Sequence, residues 1–280
     1  MREGYGVGCG FDIKMDSTIP IGKGMCSSST MVIVLIKALL ESIEHPHAQE
    51  PARVAQLGFV SEVAEFHEPG GMMDHYSSAL GSLVHIDFTD GAKATPIAAQ
   101  IPGCFVLFDT LQAKDTTKVL ADSKIPVLEA IELLRPYGIC SIRDFIESKQ
   151  QAQLLEKLDD LHRRKLCTAV DNYQILREAK ALLEKGGPVD ALQLGGLLRR
   201  HHANLRDGLG ISTDVMEKIF DVAYANGALG GKLNGSGGGG CLYVYAAQED
   251  APKIKAAVEE MGYPGRILKM DTGARLDRVF

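Results

Sequence analysis

Two glycine-rich stretches and one acidic turn carry the residues of this 280-residue chain whose types and spacing suit chemistry. The first stretch is PIGKGMCSSST, Pro20 to Thr30. It runs from an alternating segment into an apolar helical pattern, so its last residues fall at a helix N-terminus. Unpaired amides and the positive end of the helix dipole are presented there. Gly22 and Gly24 let an anion touch the backbone, and Met25 and Cys26 complete the loop. Ser27, Ser28 and Ser29 offer hydroxyls to phosphate oxygens or to a magnesium ion. An ordinary serine N-cap with no ligand is the alternative. The second stretch, NGSGGGGC, has glycine at five of the six positions from Gly235 to Gly240. A run this short, between a helical pattern and a strand, is no flexible linker. Gly235, Ser236, Gly237 and Gly238 would let backbone approach another object closely, or simply make a tight turn. Between the two lies SEVAEFHEPGGMMDHYSSALG, Ser61 to Gly81, with acids and imidazoles around a Gly-Gly turn. Asp74 sits where that turn meets a helix, which on its own suits a helix cap. His67 and His75 read as surface or loop histidines, because HExxH is absent and no third His or Cys stands at ligand spacing.

The elements that must position these residues follow from periodicity. GFDIKMDSTIP, Gly10 to Pro20, alternates like a strand and then loops. SSSTMVIVLIKALLESI is a helix apolar almost all round, expected to be buried. PARVAQLGFVSEVAEFH is an amphipathic helix, GSLVHIDFTDG a strand and turn, and GCFVLFDT a further strand after a Pro-Gly break. Residues 128–226 are dominantly helical, with LHRRKL as a solvated basic face. The chain then runs helix, strand, helix, strand. That order is α+β, not a regular βαβ array. The break places a domain boundary between residues 98 and 99, dividing 1–98 from 99–280.

Composition narrows the function. Apolar residues make up 45% and charged residues 24%, with a net charge of −6. An acidic chain argues against a nucleic-acid groove but not against a phosphorylated ligand held by backbone amides. Six scattered cysteines without a CxxC pair signal neither a zinc site nor a disulfide framework, which fits a reducing cytoplasm. MVIVLIKALL is too short to span a bilayer, and no secretory signal stands at the N-terminus. A Walker loop is excluded by spelling. A dinucleotide fingerprint fails too, since GYGVGCG has Cys9 and Phe11 where glycine is needed.

The three segments PIGKGMCSSST, PGGMMDHYSSALG and KLNGSGGGGC, in this order, resemble the motifs of the GHMP kinases, a family that includes galactokinase, homoserine kinase and mevalonate kinase. The resemblance is closest to galactokinase-like members. HHANLRDGLGISTD is similar to their SHxSLRDxxxxS segment, and SIRDF at Ser141 also looks galactokinase-like. It runs from about Phe11 to Leu268. It implies a two-domain fold with a truncated N-terminal α/β half, a C-terminal α+β half and an active site in the cleft between them. It implies ATP and Mg2+ as cofactors, with the last glycine loop folding back over the first. Ser28 and Glu62 would hold the metal, Glu65 being the alternative carboxylate. Asp74 would act on the acceptor hydroxyl as base or electrostatic orienter. The partner would be a small-molecule sugar, with no nucleic acid and no membrane. A segment resembling GRxNLxGEHxDY is not in the sequence, so the resemblance also implies a partial N-terminal domain. That leaves a second expectation, a non-catalytic nucleotide- or sugar-phosphate-binding remnant. His75 stands where galactokinases usually have Gln, and Cys26 where they often have Ser or Gly.

Overall fold

The computed structural model describes residues 10–67, 71–89, 91–113 and 116–277. They form two compact units. One is built from the chain up to Ile97 and again from Met270 onward, and the other from Ala98–Lys269. The late return to the first unit is absent from the sequence reading.

In the first unit, α1 (Ser27–Ser42), α2 (Pro51–Phe59) and α3 (Met73–Leu80) precede a two-stranded antiparallel sheet of β1 (Val84–Asp87) and β2 (Lys93–Pro96). Proline opens α2 at a position whose N–H would have no helical partner. A π-helical turn, Val60–Ala64, extends α2, with the Glu65 amide bonding back to the Val60 carbonyl at 2.9 Å. Ile33 and Leu40 of α1 pack with Val54 and Leu57 of α2 and Tyr76 and Ala79 of α3. The sheet register pairs Val84 with Pro96 and Asp87 with Lys93. The late segment fastens to the C-terminal end of α3. The Ser82 amide bonds to Asp271 O at 2.7 Å and the Ala274 amide to Ser78 O at 3.0 Å. Gly81, at φ +67°, is required there, because a Cβ would lie 2.0 Å from the Gly273 nitrogen.

Two expectations are corrected in this unit. Helix α1 is not buried all round: Ile33 and Leu40 face the core, while Met31 and Val34 are about half exposed. Helix-long apolarity states that burial is affordable on every face; it does not supply partners for every face. Residues 10–18 form no strand. They run as irregular, exposed chain, because alternation makes a strand only when another strand pairs its backbone groups, and none does among the described residues.

The second unit contains β3 (Cys104–Asp109), α4 (Thr116–Leu134), α5 (Ile142–Glu147), α6 (Gln151–Leu155), α7 (Asp160–Glu184), α8 (Ala191–Ala203), α9 (Asp214–Ala225), β4 (Gly230–Leu233), β5 (Cys241–Ala246), α10 (Ala251–Glu259) and β6 (Gly265–Leu268). Its antiparallel sheet has the order β4-β5-β3-β6, with Phe105 opposite Tyr245 and Leu233 opposite Leu242. Strand alternation sends Val106, Phe108, Leu242 and Val244 to one face against Met216, Ile219 and Phe220 of α9 and Ile254 and Val258 of α10. Phe105 and Tyr245 pack on the other side with Leu194 and Leu197 of α8 and Ile175 and Leu182 of α7. Each such side chain contributes roughly 1.5–3 kcal/mol by leaving water. Helices α7, α8 and α9 are capped by Asp159, Asp190 and Thr213, each accepting from an amide three residues on. Within LHRRKL, Lys165 departs from the solvated-face expectation. It is 6% exposed and donates to the Leu209 carbonyl at 2.7 Å. Among the described residues no helix is long and apolar enough to cross a membrane.

Candidate phosphate-binding site

The loop before α1 turns on three left-handed residues, Gly22 (φ +70°), Gly24 (φ +77°) and Cys26 (φ +54°). Two are glycines, for which this region costs little. Cys26 is not, and it holds a strained conformation where the helix begins. Cys26 is the N-cap residue and makes no side-chain cap bond. The serine-cap expectation is therefore corrected: Ser27, Ser28 and Ser29 are the first three residues inside the helix. Their amides have no hydrogen-bond partner among the described residues. The loop leads into three bare N–H groups at the positive end of a 16-residue helix. Ser28 is exposed, Ser27 and Met25 are half-buried, and Ser29 is buried. One residue further, Thr30 Oγ1 meets Ser78 Oγ at 3.0 Å, which ties α1 to α3.

Helix α3 carries Asp74. The N-cap position belongs to Met72, which has no side chain able to cap, so Asp74 sits in the first turn and caps nothing. This corrects the helix-cap alternative. The Asp74 carboxylate is half-buried and has no hydrogen bond or ion pair among the described residues. The neighbouring His75 is 1% exposed, not a surface or loop histidine. Its side chain points into the three-helix core, where Phe59 meets it edge-on at 5.9 Å between ring centres. Its Nε2 lies 2.8 Å from Oε2 of Glu62 in the π-helical turn. Oε1 of Glu62 has no partner among the described residues. Glu65 and His67 are exposed. Pro69 and Gly70, which open the PGGMMD segment, lie outside the described residues, as does Cys9.

The second glycine stretch connects β4 to β5. Gly235, Gly237, Gly238, Gly239 and Gly240 all have positive φ, between 67° and 133°. Much of this is demanded by the chain itself. A Cβ on Gly237 would lie 2.5 Å from the Ile211 carbonyl oxygen, and one on Gly238 would lie 2.6 Å from Val119 Cγ2. The loop is pinned at two places. The Gly238 amide bonds to Ile211 O at 2.8 Å, and the Gly240 amide bonds to Gln112 O at 3.1 Å. Thr110 Oγ1 donates to the Gly240 carbonyl at 2.7 Å from the end of β3. The amides of Gly235, Gly237 and Gly239 keep no partner among the described residues. A pinned loop with amides left unpaired among the described residues suits an anion. Thr110, Gln112 and Ile211, which hold it, carry no signal in the sequence.

Burial shifts several groups on β4, β5 and the end of α8. On β4, burial pushes the Lys232 ammonium down to about 8, and its Nζ donates to the Leu233 carbonyl at 2.8 Å. Burial pushes the neighbouring Tyr243 phenol up to about 12. His201, at the end of α8, is pushed down to about 4, first by burial and then by Lys232 and His202. Beside it, His202 is 3% exposed and lies 2.9 Å from Glu217 Oε1. Arg206 grips Asp207 at 2.7 Å and reaches Glu217 Oε2 at 3.2 Å. His202 and Arg206 thus tie the α8 end to Glu217 of α9, while the Asn204 amide donates to Asp171 and Asn172 of α7.

The sequence-derived residues thus gather in two sets. Ser27, Ser28, Ser29, Glu62 and Asp74 lie in the first unit, and Gly235, Ser236, Gly237 and Gly238 in the second. Bare amides at each set suit the phosphates of ATP. For magnesium, no cluster of three or more His, Cys, Asp or Glu exists among the described residues. The ion prefers one or two carboxylates together with phosphate and water oxygens. The Ser28 hydroxyl and the uncommitted Glu62 oxygen fit that requirement.

Each unit thus holds a glycine-shaped turn whose unpaired amides, among the described residues, suit an anion such as phosphate. Residues 1–82 match the GHMP kinases N terminal domain, and residues 179–264 match the GHMP kinases C terminal domain. The chain belongs to the GHMP kinase family. It is 28% identical over 267 residues to galactokinase of Streptomyces coelicolor, covering 90% of this chain and 65% of that protein. It is 26% identical over 273 residues to mevalonate kinase of Thermococcus onnurineus, covering 97% and 70%. Its fold is similar to the crystal structure of Lactococcus lactis galactokinase complexed with galactose, at TM-score 0.71 and 19% identity, over 91% of this chain and 68% of that one. Similarity to L. major mevalonate kinase in complex with R-mevalonate has TM-score 0.60 at 23% identity, over 85% and 62%. The chain therefore spans about two thirds of the length of these relatives.

Proposed function

We propose that this protein transfers the terminal phosphoryl group of ATP to a hydroxyl of a small molecule, most simply a sugar. The observation that carries this reading is the pair of bare amide clusters, Ser27–Ser29 on α1 and Gly235, Gly237 and Gly239 between β4 and β5. Phosphoryl transfer asks mainly for positioning and for donors to spread negative charge. Bound magnesium would supply charge neutralisation on the phosphates, with Ser28 and Glu62 holding it. The α1 amides bind phosphate oxygen without any Lys or Arg. Asp74 accepts or orients the acceptor hydroxyl's hydrogen, and its lack of a partner among the described residues leaves it available for that. Galactokinase relatives support a sugar acceptor. A mevalonate-like alcohol is the second reading, favoured by the larger share of mevalonate kinase of Thermococcus onnurineus that aligns.

The test has two stages. Calorimetry should detect magnesium-ATP binding, with Kd on the order of micromolar to millimolar. Production of ADP is then followed with galactose, other hexoses and mevalonate in parallel. Absence of heat and of any thermal shift at millimolar magnesium-ATP refutes the nucleotide site. ADP formation with mevalonate alone refutes the sugar assignment.

A further inference from the structure

The Glu62–His75 contact joins the π-helical turn after α2 to the first turn of α3, thirteen residues apart in sequence. We propose that His75 is a positioning residue for the metal carboxylate: its Nε2–H holds Oε2 of Glu62 and leaves Oε1 for the cation. The inference rests on the nucleotide-dependent reading above and adds a residue to it. Three observations carry it. The imidazole is fixed, being 1% exposed, edge-on to Phe59, and close enough to α2 that a Cβ on Gly58 would lie 3.0 Å from its Cδ2. Its other nitrogen, Nδ1, is buried without a partner among the described residues, so within that set Glu62 is the one side chain that the ring hydrogen-bonds. Its Nε2 partner is the carboxylate of Glu62, whose side chain is 22% exposed, so the buried ring acts on a group that reaches solvent. Neutral imidazole carries one N–H. With Nε2 facing a carboxylate oxygen at 2.8 Å, an Nε2–H tautomer donates to it. A helix-to-helix tie alone would need no such orientation, since an apolar side chain fills the same space.

The test uses the full chain and ATP, with nucleotide binding followed by calorimetry without metal and across a series of Mg2+ concentrations. His75→Leu and Glu62→Gln should each raise the Mg2+ concentration at half-effect by about tenfold, the scale for residues that orient a metal ligand. Metal-free ATP binding should be unchanged. His75→Gln, whose amide keeps an N–H donor, should restore most of the loss. If Glu62→Gln shifts the midpoint and His75→Leu does not, the positioning role is overturned while the proposed function stands. If the wild-type chain binds no nucleotide, the proposed function falls and this inference with it. Because His75→Leu could fail to fold, 15N imidazole spectra of the wild type provide a second measurement. The expected result is a protonated Nε2 and bare Nδ1, with the Nε2 resonance moving on addition of Mg2+ with ATP but not of ATP alone. An Nδ1–H tautomer, or no metal-dependent movement, overturns the proposal.

Discussion

Acid should loosen the second unit through His201. Its imidazole is pushed from an ordinary 6.5 down to about 4, chiefly by burial, with Lys232 and His202 adding repulsion. Between those two values the unfolded chain takes up a proton that the folded chain refuses. Folding stability is therefore intact above pH 6.5, falls as the pH drops toward 4, and levels off below it as far as this group is concerned. Each pH unit in that interval is worth about 1.4 kcal/mol, so lowering the pH from 7 to 4.5 removes about 2 kcal/mol through this side chain. Urea unfolding at the two pH values measures the loss directly. His201→Gln cannot take the proton and should lose about 2 kcal/mol less than wild type over the same interval. The carboxylates held low by partners, Asp171 by Arg200 and Asp207 by Arg206, add acid sensitivity of their own. They are common to both proteins and cancel in the difference. If the variant and the wild type lose stability in parallel, burial of His201 does not control its protonation and the argument fails.

Three further outcomes follow from the geometry. Gly237→Ala adds a Cβ 2.5 Å from the Ile211 carbonyl oxygen at φ +80°; it should lower stability by roughly 1–3 kcal/mol and abolish nucleotide binding. Gly138→Ala, at φ +83° with nothing within 4 Å, should cost only the backbone strain of about 1 kcal/mol; equal melting losses for the two would refute the close-approach explanation. Asp74→Asn should change stability by less than about 1 kcal/mol, since it loses only a helix-dipole interaction, while turnover falls by about a hundredfold. Near-wild-type turnover would remove Asp74 from the chemistry. Lys165→Met strips the Leu209 carbonyl of its donor and should cost roughly 1–3 kcal/mol, measured by thermal melting. An unchanged melting temperature would mean that water replaces the ammonium.

Long periodic segments were legible in the sequence because burial decides them locally. The apolar spacing of DVMEKIFDVAYA gives α9, and the β-branched and aromatic run CLYVYA gives β5. What stayed hidden depended on partners distant in the chain. KATP has no hydrophobic alternation, yet it forms β2 because β1 supplies the hydrogen bonds. GGKL forms β4 because its glycines let α8 come close: a Cβ on Gly230 would stand 2.1 Å from the Gly195 oxygen. Phe11, Ile13 and Met15 show the reverse case, perfect alternation without a partner strand among the described residues. The glycine loops stood out by residue type, whereas Asp74 on its own suited a helix cap and joined the candidate site only through the resemblance of the three segments. Their supports could not be named either way, since the Glu62–His75 contact and the anchors at Thr110, Gln112 and Ile211 are set by how helices and strands meet.

The chain passes between its two units twice, once near Ile97 and Ala98 and again near Lys269 and Met270. A ribosome delivers the first unit's three helices early, yet the segment that locks the end of α3, Asp271 to Ala274, emerges only after the whole second unit. Vectorial folding of the N-terminal unit, the usual order in synthesis, is thus interrupted here. The first unit waits with the Ala79–Gly81 backbone unclasped while all of Ala98–Lys269 is made. The same double passage means that no single proteolytic cut or stop codon separates the units cleanly. A truncation after Lys269 would leave the second unit's sequence whole and strip the first of its clasp.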